Sequence, residues 1–524
     1  MGKGSRNRAA YNAEKIQKRE ALAKAQKKQK VVKRVTLIVV AFVLVGAIIG
    51  GVIAVINSVR TKNRSDFHNT VAVSSENYKV TTAMMSYFFN LQYITFQNTN
   101  YNNLSNIQLD TNTSLKEQTC DEQFAQKEGQ TWYDYFYSLA EKQVTEMLCL
   151  LEAAKAEGYE MNDTDKETIK QAKQKMQNAA EEYNMDMQEY LDYVYGDGMT
   201  QEEVSKAMEY YQHFSSYYKT KYANLQYTSD EITNYYNSNK KLFTTVDYLA
   251  YSFSANISSY GDDETARNAA ISTLRKTAET LTYAKTADEF KSNLKEYLDN
   301  AYNSNAAYTT IDPEEELENS VYTDVAYIED NDVCEWAFSD STKALDVKTF
   351  EEETDGTYYI SVVMMTKTME RDETLTRDIR HILFTTENHG TAEAAKAKAK
   401  ELLDTFNTGD KSEKSFAELA TKYTEDPDSS ISGGLYKGVS QGEMVESFND
   451  WMFDKSRKAG DTALVESNYG CHIMYYPGVE TAAWQNAVNS ALVTDAFDAD
   501  IAELKERYNV NAKNQDITKT ELDY

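Results

Sequence analysis

The chain has 524 residues, enough for about three domains of ordinary size, and 41% of them are apolar, so each domain can bury a core. The formal net charge of −28 is unevenly spread: residues 1–34 carry twelve Lys or Arg against two acids, 60–64 add three more basic residues, and 65–524 then holds 40 basic and 81 acidic residues. So acidic a body lacks the cationic clusters that phosphate contacts need, which excludes nucleic-acid binding there and reads as a solubility device.

Residues 35–56 (VTLIVVAFVLVGAIIGGVIAVI) form an uncharged apolar run of 22. At 1.5 Å per residue it crosses a hydrocarbon core of about 30 Å. Lys33 and Arg34 precede it, which keeps the N-terminus cytoplasmic. A cleaved signal peptide would have a shorter apolar core and a small-residue cleavage site. Here Asn57, Ser58, Val59 and Arg60 follow, and no Cys lies nearby to serve a lipoprotein anchor. The reading is a basic cytoplasmic tail over 1–34, lying near anionic lipid, and a single transmembrane helix over 35–57. The large remainder is then extracytoplasmic at the cell membrane.

The segment 65–245 reads as a helical, chaperone-like domain. A short β-like stretch at 71–73 leads into an apolar helical run, and 101–130 is a loop rich in Asn, Thr and Gln. Ala140, Val144, Met147, Leu148, Leu151 and Ala154 share one helix face, with Gly158 placed to end the helix. Capping boxes at Thr164–Glu167, Thr200–Glu203 and Thr228–Glu231 mark further helix starts. Tyr210, Tyr211, Tyr217, Tyr218, Tyr235 and Tyr236 suit either packing between helices or an amphipathic surface for an unfolded chain. Cys120, Cys149, Cys334 and Cys471 show no CxxC spacing, so a disulfide-built fold is excluded and zinc is unsupported. Cys120 with Cys149 remains a candidate pair.

After Phe243 the texture changes. A strand over 246–253 precedes helices near 263–284 and 287–299, the second opened at Thr286–Glu289. The same order returns as a strand at 378–385 and helices at 391–407 and 415–423, the last opened at Ser415–Glu418. The two units end alike, EWAFSDSTKALD at 335–346 and DWMFDKSRKAGD at 450–461, with Trp, Phe, Ser, Lys, Ala and Asp coinciding without a gap. This implies a tandem duplication of an α/β unit, followed by a C-terminal helix and tail over 481–524 that packs back on the helical domain.

Five motifs converge in the second unit: RHIL at 380–383, FAELATKYTED at 416–426, Gly433-Gly434, GEMVESF at 442–448 and SNYGCHIM at 467–474. In order and spacing this resembles the parvulin family of peptidyl-prolyl isomerases, and the wider chain resembles the PrsA/SurA-type extracytoplasmic foldases. The implied fold class is α+β, a membrane-anchored helical chaperone module plus two tandem parvulin-like domains of antiparallel sheet and surrounding helices. The first, over 246–370, is degenerate, and the second, over 372–480, is the isomerase. The implied partners are unfolded or partly folded exported polypeptides, with the translocon a further candidate.

The chemistry such a site needs follows separately. Rotation about an X–Pro bond breaks no covalent bond but crosses a barrier of about 18–20 kcal/mol set by amide resonance. A catalyst must therefore bind the twisted amide better than the planar one, with an apolar slot for the proline ring and fixed polar groups beside the carbonyl. No metal or cofactor is required. The resemblance implies His381 and His472 as the paired histidines on adjacent strands, Asp426 as the group near the substrate carbonyl, and Ser467 as a hydroxyl completing the network. Met444 and Phe448, four apart on an expected helix, match the slot positions.

The chain departs from the family where 433–439 reads GGLYKGV: Tyr436 stands at the usual Leu and Val439 where an aromatic often lines the slot. These two substrate-binding positions imply a wider pocket, and no phosphate-reading basic cluster is evident. The GVSQG stretch at 438–442 fits a serine nucleophile elbow, but no buried strand precedes it and no acid–His pair follows at recognisable positions. In the first unit Tyr251 and Ser252 stand where the second has Arg380 and His381, and the Gly-Gly pair, the G-x-M-x-x-x-F segment and a histidine on the closing strand are all missing. The rival reading is a non-catalytic holdase or assembly scaffold. A cell-surface adhesin would need β-sandwich repeats that the sequence does not carry.

Overall fold

The computed structural model describes residues 65–513 and residue 515, apart from 101–103, 105–106, 112, 197, 224, 305–311, 427–428, 430–431 and 514. The basic tail 1–34 and the apolar run 35–57 lie outside the described residues. Among those described, no helix is long and apolar enough to cross a membrane. The chain is a mixed assembly of helices and antiparallel sheets. It divides into two compact units, one over 229–373 and one formed by 65–228 together with the chain from 374 onward.

In the larger unit, strands β1 (Val71–Ser74) and β2 (Lys79–Thr81) lead into the helix Thr82–Asn100. That helix packs with Trp132–Glu157 and Gln201–Tyr218 around a core that includes Met85, Phe88, Trp132, Phe136, Leu148, Leu151 and Met208. The Trp132–Glu157 helix is capped by Thr131, whose side chain accepts from the Asp134 amide, and ends at Gly158 with φ +69°. The next helix, Asp163–Glu182, starts earlier than a cap at 164 requires, because Asn162 and Asp165 cap it reciprocally. Tyr211, Tyr217 and Tyr218 are buried in this core, while Tyr210 is half-buried, so packing accounts for most of the tyrosines in this stretch. Cys120 and Cys149 are buried but not bonded.

The unit 229–373 opens with the helix Ser229–Ser238 and is built on an antiparallel sheet of order β4-β3-β6-β5. Its strands are β3 (Thr244–Asn256), β4 (Val321–Ala326), β5 (Val347–Thr354) and β6 (Thr357–Arg371). Alternation along β6 sends Ile360, Val362 and Met364 to one face, against Leu281, Phe290 and Leu294 of the helices Glu264–Thr282 and Ala287–Ser304. Val363 and Met365 go to the other face, with Tyr248, Cys334 and Phe338.

The larger unit resumes with a second antiparallel sheet. β7 (Leu375–Thr385) lies between β11 (Glu480–Ala482) and β10 (Gly470–Tyr475); β9 (Thr462–Ser467) borders β10, and β8 (Leu435–Val439) also pairs with β7. The helices Ala392–Thr408 and Glu413–Tyr423 cover one face, burying Ala395, Phe406, Phe416 and Ala420 against Ile382, Phe384, Cys471 and Ile473. The second helix is capped by Ser412, not by Ser415 as the S-x-x-E pattern suggested. The closing helix Ala483–Arg507 sets Phe497 against Tyr218 and Tyr222, and β12 (Asn511–Ala512) completes a three-stranded sheet with β1 and β2.

Candidate active site

The period of two along a strand decides where the site lies. On β7, Ile382 and Phe384 face the two helices, so Ile379 and His381 face the other way. On β10, Cys471 and Ile473 face the helices, so His472 and Met474 face the other way. Because His381 pairs with Met474 and Leu383 with His472, the two histidines are diagonal neighbours on one face. Their rings stack at 5.3 Å between centroids, and Nδ1 of one lies 3.1 Å from Nδ1 of the other.

A buried polar chain runs outward from this pair. His381 Nε2 lies 2.8 Å from Asp426 Oδ2, and Ser467 Oγ lies 2.7 Å from His472 Nε2. With both rings neutral the chain closes in one way: Ser467 donates to His472 Nε2, His472 Nδ1–H donates to His381 Nδ1, and His381 Nε2–H donates to the Asp426 carboxylate. His381, Asp426 and His472 are all nearly inaccessible, at 3%, 8% and 5% exposure. Burial of Asp426 alone would raise its pKa. The hydrogen bond from His381, the charge of that ring when it is protonated, and the hydroxyls of Ser429 and Tyr436 outweigh burial and hold the carboxyl well below the usual range. Burial pushes His472 down to about 4, helped by repulsion from a charge on His381 and opposed by Asp426.

Local backbone holds these groups in place. Thr424 Oγ1 accepts from the amides of Leu383 and Asp426, and the Glu425 amide donates to Leu383 O at 2.8 Å. The Glu425 carboxylate in turn takes the Thr385 amide and hydroxyl. Residues 424–426 are thus stitched alongside β7. On the other side, Gly434 O accepts from the His381 amide at 2.8 Å. A Cβ on Gly434, at φ +74°, would sit 2.1 Å from His381 O, so the Gly-Gly pair is what lets the chain pass this close.

The apolar wall stands beside the histidines. Phe448 meets both rings edge-on, 5.5 Å from each, and joins Ile379, Val439, Met452, Val465 and Met474 in one cluster, with Met444 and Tyr436 packed against it. Val439 and Phe448 are buried, each at 3% exposure; Met444 and Tyr436 are half-buried. Met444 and Phe448 therefore share the cluster but not a helix. The helix is Glu446–Phe453, because Gly442 at φ +85° and the Ser440–Glu443 turn break any earlier start. That turn also disposes of the GVSQG pattern: Ser440 follows the end of β8, with no helix beginning just behind it.

All eight residues singled out from the sequence thus fall within one neighbourhood. One further residue, Ser429, and one further contact, made by the Tyr436 hydroxyl, carried no legible signal. Ser429, fully buried, donates to Asp426 Oδ2 and lies 3.0 Å from His381 Nε2. Tyr436 donates its hydroxyl to the same oxygen at 3.0 Å. Among the described residues, no cluster of His, Cys, Asp or Glu is placed to hold a metal ion.

Residues 363–476, which carry this antiparallel sheet, the diagonal histidine pair, the carboxylate and the aromatic wall, match the family described as PPIC-type PPIASE domain. The wider chain is similar to PrsA-type foldases. It is 28% identical over 167 residues to foldase protein PrsA 1 of Listeria monocytogenes serotype 4b, covering 30% of this chain and 51% of the relative. It is 26% identical over 155 residues to foldase protein PrsA 1 of Listeria innocua, covering 28% and 48%. The chain thus spans about half the length of the curated relatives it matches. A crystal structure of PrsA from Bacillus cereus aligns over 48% of this chain and 86% of its own, at 18% identity and a TM-score of 0.20.

Proposed function

We propose that the chain is a membrane-anchored foldase that binds unfolded or partly folded exported polypeptides and isomerises their X–Pro bonds. The observation that carries this reading is the closed chain from Ser467 through His472 and His381 to Asp426, set against the Phe448 wall. A pure scaffold has no need to bury two histidines and a carboxylate in mutual hydrogen bonds, since each must lose its hydration. In this reading Asp426, held ionised, lies beside the substrate carbonyl. It disfavours the planar amide, whose oxygen carries extra negative charge, relative to the twisted form. Met444, Phe448, Tyr436 and Val439 line the proline slot, and His381, His472 and Ser467 fix Asp426. The chemistry calls for no cofactor.

The proposed organisation follows from the sequence. A basic cytoplasmic tail occupies 1–34 and a single transmembrane helix 35–57, with a chaperone-like helical domain over 65–245. A degenerate parvulin-like domain spans 246–370, the isomerase 372–480, and 481–524 the C-terminal helix and tail. The four-stranded antiparallel sheet of the unit 229–373 supports a shared architecture, and Ser252, hydrogen-bonded to Ser361 at 2.6 Å, stands in place of a histidine. A non-catalytic holdase is the alternative. A protease-coupled assay on a proline peptide, run beside an aggregation-suppression assay, separates the two. Acceleration of the cis-to-trans step supports the isomerase; suppression of aggregation without acceleration supports the holdase.

A further inference from the structure

Tyr436 stands where the resemblance leads one to expect Leu, and its two ends do different things. Its ring lies over His381, 5.2 Å between centroids and tilted by 32°. Its hydroxyl reaches Asp426 Oδ2 at 3.0 Å. That oxygen also takes the His381 Nε2–H at 2.8 Å and the Ser429 hydroxyl. The donors come from three separate places in the chain: β7, the loop after 426 and β8. A leucine there could fill the wall but could not donate.

Convergence of this kind has a geometric consequence. A carboxylate held by one donor keeps a free torsion about its last side-chain bond, and each further donor from a different direction removes part of that freedom. Tyr436 is half-buried at the wall, whereas Ser429 is fully buried.

We infer that Tyr436 is a positioning residue for isomerisation: its hydroxyl orients the Asp426 carboxylate toward the substrate carbonyl, so that its contribution passes through Asp426 and not through the shape of the slot. This rests on the isomerase reading proposed above. It also replaces the expectation of a merely wider pocket with a specific polar contact. Proline peptides should therefore bind nearly as well without the hydroxyl but turn over more slowly.

The test is a double-mutant cycle on the whole chain, with Tyr436→Phe and Asp426→Asn alone and combined, assayed with a proline peptide. Tyr436→Phe keeps the ring, so far-ultraviolet circular dichroism should be unchanged. It should lower kcat about tenfold, the low end for loss of one hydrogen bond to a carboxylate, with KM within about twofold. In the Asp426→Asn background the same change should cost less than about twofold. Tyr436→Leu, which restores the residue the family resemblance leads one to expect, should match Tyr436→Phe in kcat. Equal tenfold losses in both backgrounds, or a loss confined to KM, would overturn the positioning role while leaving the isomerase reading intact. No acceleration by the wild-type chain, or none lost in Asp426→Asn, would bring down both.

Discussion

Gly434→Ala is the perturbation whose cost the structure defines most closely. Gly434 sits at φ +74°, and a Cβ there would lie 2.1 Å from His381 O and 2.9 Å from the Ala420 Cβ. The left-handed backbone alone costs an L-residue about 1–2 kcal/mol. The overlap with a carbonyl in the middle of β7 cannot be relieved by a side-chain rotation, so strand and loop must separate. Separation lengthens the bond from the His381 amide to Gly434 O, now 2.8 Å, worth about 0.5–1.5 kcal/mol net. It also opens the packing of Ala420 beneath it. The backbone and hydrogen-bond terms sum to about 1.5–3.5 kcal/mol, with the lost packing added to that, against a control at Gly442, which has φ +85° but no atom within 4 Å of its would-be Cβ. Gly442→Ala should cost only the backbone term, about 1–2 kcal/mol. Hydrogen exchange of the β7 amides, read by mass spectrometry on the whole chain, reports the local opening free energy. Equal protection in the two variants, with equal isomerase rates, would refute the argument that Gly434 fixes the position of His381.

Other outcomes follow from the same geometry. His472 is depressed from its ordinary value to about 4, so the unfolded chain takes up a proton near pH 6.5 where the folded one does not. The stability it contributes is complete above about pH 6.5 and is lost as pH falls toward 4, about 3 kcal/mol for this group; melting from pH 7 to 4.5 checks it, and a flat profile would contradict it. Phe448→Ala should destabilise by about 3–5 kcal/mol because the ring is core as well as wall, while Met444→Ala, half-buried, should lower activity with a loss under about 2 kcal/mol; chemical denaturation followed by near-ultraviolet circular dichroism separates them. The unit 229–373 should supply no isomerase activity, so Asp426→Ala in the whole chain should leave at most a tenth of the wild-type acceleration in a peptide exchange assay. The whole chain should partition with membranes and a chain starting at 65 should not, which fractionation reads directly.

The parts of the site legible in the sequence were those marked by the order and spacing of the motifs that carry the parvulin resemblance. His381 and His472 each lie on a short run of strand-forming residues, and alternation alone puts each on a definite face. What the sequence did not carry depends on chain crossings. Ser429 and the Tyr436 hydroxyl reach Asp426 only because β8 and the loop before it fold back over β7, and a serine or tyrosine has no periodicity to announce that. Met444 was assigned to a helix because four residues separate it from Phe448; Gly442 and the turn at Ser440 override that spacing. In the helical module the Trp132–Glu157 helix matched its apolar stripe and Gly158 closed it as expected. The Asp163–Glu182 and Glu413–Tyr423 helices, however, took their caps from Asn162 and Ser412, because several polar residues in a row can each serve and tertiary packing chooses among them. The pairing of β12 with β1 joins residues more than 400 positions apart, and no local pattern encodes it.

In the proposed mechanism a buried His–His–Asp chain speeds rotation about an X–Pro bond. It is tested most directly by cis–trans exchange spectroscopy of a proline peptide, with the chain from residue 65 onward present at substoichiometric concentration. Exchange should be accelerated well beyond the uncatalysed tens to hundreds of seconds, and Asp426→Ala should reduce the acceleration at least tenfold with hydrogen-exchange protection of β7 and β10 retained. Acceleration that survives Asp426→Ala, or its absence in the wild-type chain, would contradict it.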